Sequence, residues 1–341
     1  MTNNNFIRHF AIIFLGCLMC TKSYAQHTTE FLFDPSTMSD DYVRKTMQAN
    51  ARAVFAEINR AYDQNKSGLT LSATNITTEA IQRIQTLWAT SHFYSTETDI
   101  TTRVLKSSNG YQVRNVPVFF AQGKTNEDKY QDIVLEFTTG GKISDIYISI
   151  APHQYAQIIG NSNEVEDIEE RMRVVELVEV FKTAYNTKDT VFLKNIYSDD
   201  ALIITGKVVT QQKKTDMPTV LNNQKIEYSV QSKKQYLAKL QKIFAANSYI
   251  NIKFTDVVVT RHEGNPNIYG VTLKQDWNTR PTKDSPYGYH DKGWLFLLFD
   301  FEDKKNPQIW VRTWQPLQDG NGNPIRYSNE DIFNLSDFKF R

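Results

Sequence analysis

The chain reads as an α+β protein built from two tandem units, each with helices packed on one face of a curved antiparallel sheet. Three observations predict this. Helical apolar spacing is followed by strand-like segments, and that order of elements occurs twice along 341 residues. Matching positions recur in the same order in both passages, as tandem repeats require. Turn signals separate neighbouring strand segments by only a few residues, so the strands pair as hairpins.

In the first passage Ser39-Asp40 caps a helix of about 25 residues, with Met47, Ala51, Val54, Phe55, Ile58, Ala61 and Tyr62 on one apolar face. A second helix starts near Thr77 and turns Ile81, Ile84, Leu87 and Trp88 inward. Strand segments follow at 93–106, 110–122, 131–138 and 142–150, divided by Ser107-Ser108-Asn109-Gly110 and Gly140-Gly141.

A polar stretch, Ile159 to Asn163, reads as a linker. The next helix begins among Glu164, Glu166, Asp167, Glu169 and Glu170, where negative charge complements the helix dipole. Its apolar face is Ile168, Met172, Val175, Val178, Phe181 and Tyr185. Asp189 caps a short helix, and Ser232 with Gln235 has capping-box spacing for a third. Strand segments then run over 249–262, 267–279, 293–301 and 308–315.

The repeat aligns Ala61-Tyr62-Asp63 with Ala184-Tyr185-Asn186, Thr98-Asp99 with Thr255-Asp256, and Tyr111-Gln112-Val113 with Tyr269-Gly270-Val271. The first unit is shorter between its helices, so it lacks a counterpart of the second unit's short helix and following loop. The division expected is a leader at 1–25, a first unit at 26–160, and a second unit with a C-terminal tail at 161–341. Ile332, Phe333, Leu335, Phe338 and Phe340 should fold that tail back onto its domain.

The leader carries an address. A polar start with Arg8 precedes an apolar run from Phe10 to Met19, and Ser23-Tyr24-Ala25 places small residues at −3 and −1 before Gln26. That is the layout of a secretory signal peptide, and ten apolar residues are too few for a membrane span. Gly16-Cys17 fits a lipoprotein site less well, because Phe14 is bulky for a lipobox. Export to the periplasm or outside the cell is the expectation. Cleavage would remove Cys17 and Cys20, the only cysteines, and with them disulfide and thiol chemistry. The net charge of +1 gives no sign of a nucleic-acid partner.

The second unit, from Asp167 to Pro316, resembles the NTF2-like, or SnoaL-like, superfamily of cystatin-like cones. Ala184 to Asp189, followed by Tyr197-Ser198-Asp199-Asp200-Ala201, is similar to that family's first helix pair and loop. The first unit resembles it more weakly. The resemblance implies a pocket between helices and concave sheet. It implies no one activity, because the superfamily holds isomerases, dehydratases, hydrolases and inactive binding proteins. It also makes a homodimer through the open sheet face a partner to consider, beside an unknown small ligand or protein.

The last strand carries the most chemistry. Alternation puts Trp310, Arg312 and Trp314 on one face. A pocket follows if Arg312 anchors an anionic or polar group between flat indole walls, with Trp277 and Tyr269 nearby. A cation–π stack inside the core and an interface between the units are the alternatives. Strand parity groups Asp256 with Ile250, Ile252, Phe254 and Val258, which would raise its pKa, although the matching Asp99 suggests a shared structural role. His290 falls in a loop beside Tyr287, Tyr289 and Asp291. His262 and Asp276 are further titratable candidates.

No HxH, HExxH, Walker, dinucleotide or serine-elbow pattern occurs, so no metal or cofactor is called. Asp319-Gly320-Asn321-Gly322-Asn323 has some calcium-loop spacing but reads as a turn, since Pro324 stands where that loop needs glycine. The sequence favours an exported, non-catalytic binding or interaction protein. The alternative is a small-molecule isomerase, lyase or hydrolase using Asp256 or His290 as base and Arg312 as anchor.

Overall fold

The computed structural model describes residues 28–161, 165–211, 223–319 and 321–338. The expected leader with Cys17 and Cys20, part of the expected linker, and Phe340 lie outside the described residues.

The first half contains β1 (Glu30–Phe33), α1 (Asp41–Asp63), α2 (Thr78–Thr90), β2 (Phe93–Ser95), β3 (Asp99–Thr102) and β4 (Val104–Ser107). It continues with β5 (Gly110–Phe120), α3 (Asn126–Lys129), β6 (Tyr130–Thr138), β7 (Ile143–Ile148) and α4 (Pro152–Gly160). The second contains α5 (Val165–Asn186), α6 (Thr190–Ile196), β8 (Tyr197–Gln211), β9 (Asn223–Gln231), α7 (Lys233–Ala246), β10 (Tyr249–Arg261), β11 (Ile268–Arg280), β12 (Tyr289–Asp300) and β13 (Gln308–Pro316).

The helices begin where the caps dictate. The side chains of Asp40, Thr77 and Asp189 accept the backbone N–H groups of Val43, Ala80 and Phe192, and Ser232 with Gln235 forms the reciprocal capping box. The second sheet runs β10-β11-β12-β13-β8-β9, antiparallel throughout except where β13 lies parallel to β8. The first runs β2-β5-β6-β7, with β4 also on β5. Each sheet has its own apolar cluster against its helices. This is the α+β layer plan expected from the NTF2-like resemblance.

Three expectations need correction. The segment 93–106 is not one strand. It breaks into β2, β3 and β4 because β3 leaves the sheet to pair in parallel with β1, a strand the sequence reading omitted. The stretch after α6 is a long hairpin, β8 and β9, rather than a loop. Its counterpart in the first half shrinks to a single parallel bridge between Ile76 and Ile143. Ile159-Gly160 belongs to α4 rather than to a linker, and Ile158 of that helix packs into the second cluster.

Helix α5 joins the halves. Val175, Val178, Phe181 and Tyr185 enter the second core, while Val180 packs with Val134 and Tyr147 on the outer face of the first sheet. Because α5 is covered on both sides, its buried set includes polar residues. These close the free edge of β7: Thr183 Oγ1 accepts Ile148 N–H at 2.9 Å, Glu179 Oε1 accepts Ile150 N–H at 2.7 Å, and Lys182 Nζ donates to the Ser149 carbonyl at 3.1 Å. Glu179 also takes a two-pronged ion pair from Arg114 of β5, with one contact at 3.0 Å.

The tail folds back as expected. Phe333, Leu335 and Phe338 cover Ile268, Phe296, Leu298 and Val311 on the outer face of the second sheet. Among the described residues no helix is long and apolar enough to cross a membrane.

Candidate functional site

The second sheet is filled unevenly. At one end of its concave face α5 packs against Val271, Leu273, Leu295 and Leu297. At the other, a cavity of about 1040 Å³ opens between α7 and strands β8, β9, β11, β12 and β13. Every lining residue comes from the second half. Arg312, Trp314, Trp277 and His290 all line it.

Arg312 sits at its inner wall, 6% exposed. Its guanidinium lies 4.9 Å from the ring centre of Tyr236 on α7. Tyr185 Oη stands 2.6 Å from Tyr236 Oη and 3.2 Å from Tyr197 Oη, so three phenols are linked beside one cation. Among the described residues no carboxylate pairs with Arg312, and its buried Nε has no hydrogen-bond partner. Burial opposes the charge, but the oxygens of Tyr236, Tyr185 and Tyr197 outweigh it and hold the pKa above the usual arginine value. Burial also keeps Tyr185 and Tyr197 well above the usual phenol range, so both are neutral. Neutral phenols orient their oxygens toward the cation but supply no counter-charge, so the charge stays available to an anion in the cavity.

The indole walls are half as expected. Trp314 is buried, and its position depends on Gly293 of β12: a Cβ there would lie 2.5 Å from the indole. Trp277 is half-buried with its ring edge-on to Tyr185 at 5.7 Å. Trp310 is out of the cavity and 45% exposed. The pairing register shifts between Ile309 and Val311, so Ile309 takes the inward place and alternation fails at Trp310. The alternative reading, a Trp-Arg-Trp stack, is therefore absent, and Arg312 faces a tyrosine instead.

Asp256 is also displaced by a bulge. The register shifts between Thr255 and Val258, Asp256 adopts φ +51°, and Val257 and Val259 take the buried positions. Asp256 is exposed and pairs with Lys274 at 2.9 Å, outside the cavity. Tyr269 is fully buried toward α5, donating to Asp167 at 3.0 Å, and does not line the cavity.

His290 belongs to β12 rather than a loop, opposite Asn278 of β11. Its Nε2 lies 2.9 Å from Asp276 Oδ1, and Lys292 holds the other oxygen at 3.0 Å. Asp291 lines the cavity beside it, with its pKa raised by burial despite a hydrogen bond from Tyr289. His262 serves a turn, its Nδ1 accepting Gly264 and Asn265 N–H. Asp319 likewise accepts Asn321 and Asn323 N–H in a turn, and no metal-ligand cluster occurs among the described residues.

No family model and no curated protein matches the chain. Among solved structures it is similar to an NTF2-like superfamily protein from Salmonella enterica, at 10% identity and TM-score 0.32, over 48% of this chain and 96% of that one. It is similar to a Kribbella flavida protein at 15% identity and TM-score 0.31, over 43% and 89%. It is also similar to naphthalene 1,2-dioxygenase with bound indole, at 6% identity and TM-score 0.35, over 49% and 88%. Likenesses this distant transfer no activity.

The sequence reading missed the tyrosines. Tyr185, Tyr197 and Tyr236 come from α5, β8 and α7, and only tertiary packing gathers them. Lys207 and Lys239 also line the cavity, and Lys239 Nζ donates to Gln231 at 2.6 Å. The site thus combines cations, flat aromatic walls and the apolar side chains of Leu240 and Ile243. That combination suits a molecule with an anionic group and a planar or apolar body.

Proposed function

We propose that this chain is an exported, non-catalytic binding protein that holds a small organic anion in the cavity of its second half. The carrying observation is Arg312, buried and, among the described residues, without a carboxylate partner, at the wall of a cavity large enough for a ligand. An incoming carboxylate would supply the missing charge, and Trp277 and Trp314 would flank its body. Export is supported by the layout of residues 1–25.

The experiment is a thermal-shift panel of benzoate, indole-3-carboxylate and octanoate on the wild type and Arg312→Ala. Stabilisation of the wild type alone is expected from at least one acid. No shift from any acid, or equal shifts in both proteins, would count against the reading.

One observation favours a second reading. His290, held by Asp276 at 2.9 Å, lines the same cavity as Arg312, the arrangement a proton-transferring isomerase, lyase or hydrolase would use. Asp256 has no part in it, since it lies outside the cavity. Turnover of a bound acid by the wild type, lost in His290→Gln with binding intact, would establish it.

A further inference from the structure

A second cavity, of about 320 Å³, opens between the two sheets, apart from the Arg312 site. Lys182 reaches it from α5 with its side chain buried, 4% exposed. Its one described hydrogen bond is to the Ser149 carbonyl at the edge of β7. Asp132 of β6 lines the same cavity, half-buried, and among the described residues its carboxyl has no hydrogen-bond or ion-pair partner. Lys253 of β10 and Glu127 of α3 complete the charged rim. Lys253 is held by Asp128 at 2.8 Å, so its charge is already matched.

A buried amine and an unpartnered carboxyl that line one cleft are candidates for nucleophile and acid. We propose that Lys182 is a reactive amine that captures small aldehydes in this cleft as imines, with Asp132 as the proton donor. The neutral amine adds to the carbonyl carbon, forming a C–N bond while the π pair moves to oxygen, which takes one proton from the now-cationic nitrogen. Asp132 then protonates that hydroxyl, the C–O bond breaks, and water leaves as the nitrogen lone pair forms C=N. The proton lost from nitrogen restores the Asp132 carboxyl. Amine and aldehyde give imine and water, and no oxidant or reductant is needed.

The electrostatics support both roles. Burial lowers Lys182 to about 8, Glu179 one turn earlier opposes the shift, and Lys253 adds to it. Glu179 is itself taken by Arg114. Burial raises the Asp132 pKa above the ordinary carboxylate value, the direction its role requires. Among the described residues β7 brings no titratable side chain to this cavity. At pH 7.5 a pKa of about 8 leaves on the order of a hundred times more neutral amine than a surface lysine has.

The test treats the full chain with propanal and cyanoborohydride at pH 7.5 and follows each lysine by peptide mass spectrometry. Lys182 should be alkylated at least about tenfold faster than Lys45, whose side chain is 70% exposed. Asp132→Asn, checked for folding by circular dichroism, should slow Lys182 several-fold and leave Lys45 unchanged. Lys182 reacting no faster than Lys45 in the folded wild type would overturn the proposal. An unchanged Lys182 rate in Asp132→Asn would remove Asp132 from it.

Discussion

Replacing Glu179 by Gln tests whether α5 is the joint between the halves. The substitution keeps an oxygen for the Ile150 N–H, now accepted at 2.7 Å, removes the charge that faces Arg114, and turns the second acceptor oxygen into an NH2 donor. Arg114 would then be a buried cation without a counter-charge, left with the Gln112 oxygen, one amide oxygen at position 179 and the Tyr155 ring at 3.9 Å. Breaking one side of a buried pair costs about 3–5 kcal/mol. At roughly 2–4 °C per kcal/mol for a chain of this order of size, the melting temperature should fall by about 6–20 °C. The double variant Arg114→Met with Glu179→Leu should recover at least half of that loss, since no unpaired charge remains. Urea and thermal unfolding of the wild type, Arg114→Met, Glu179→Leu and the double variant give the coupling directly. A loss below about 1 kcal/mol in Glu179→Gln, or additive effects in the double variant, would refute the joint as described.

Three other substitutions test separate parts of the account. Gly293→Ala should cost about 1–3 kcal/mol and disturb the cavity, because the new methyl would meet the Trp314 ring and the Gln315 carbonyl; urea unfolding and tryptophan fluorescence read both effects. Glu176, raised to about 8 mainly by burial and by Glu136 and Asp145, binds a proton in the folded chain that the unfolded chain has released above its ordinary value near 4.5. Stability should therefore fall as pH rises from about 5 to 8, and Glu176→Gln should flatten that fall in a melting series across this range. Asp256→Gly should hold or raise stability, by up to about 1 kcal/mol, because φ +51° is relaxed for glycine, and ligand binding should not change. A binding defect there would put Asp256 back at the site.

Local chemistry made the helices legible. Asp40, Thr77, Asp189 and the Ser232–Gln235 pair each announce a helix within four residues of its start, and each helix begins there. Strands β10, β11 and β13 were legible for the same reason. Bulges were not. Whether Asp256 and Trp310 point inward depends on how neighbouring strands slip past each other, and one extra residue reverses the parity that alternation assumes. Strand β9 hid for another reason: as the edge of its sheet it exposes Tyr228 and Val230, so it lacks the one-sided burial that marks a strand. Half the site was visible in β13, where an arginine stands among tryptophans. The tyrosines around Arg312 were invisible because three separate elements bring them together.

The central claim is that Arg312 is completed by a ligand's negative charge. Calorimetric titration of the wild type with indole-3-carboxylate and with indole-3-carboxamide tests it most directly, since the two differ in charge and little in shape. A charged hydrogen-bonded contact worth about 1.5–3 kcal/mol predicts acid binding roughly 10–150-fold tighter than the amide. Equal affinities would show that the cavity binds the ring without using Arg312 as an anchor. Tighter binding of the amide would contradict the account outright.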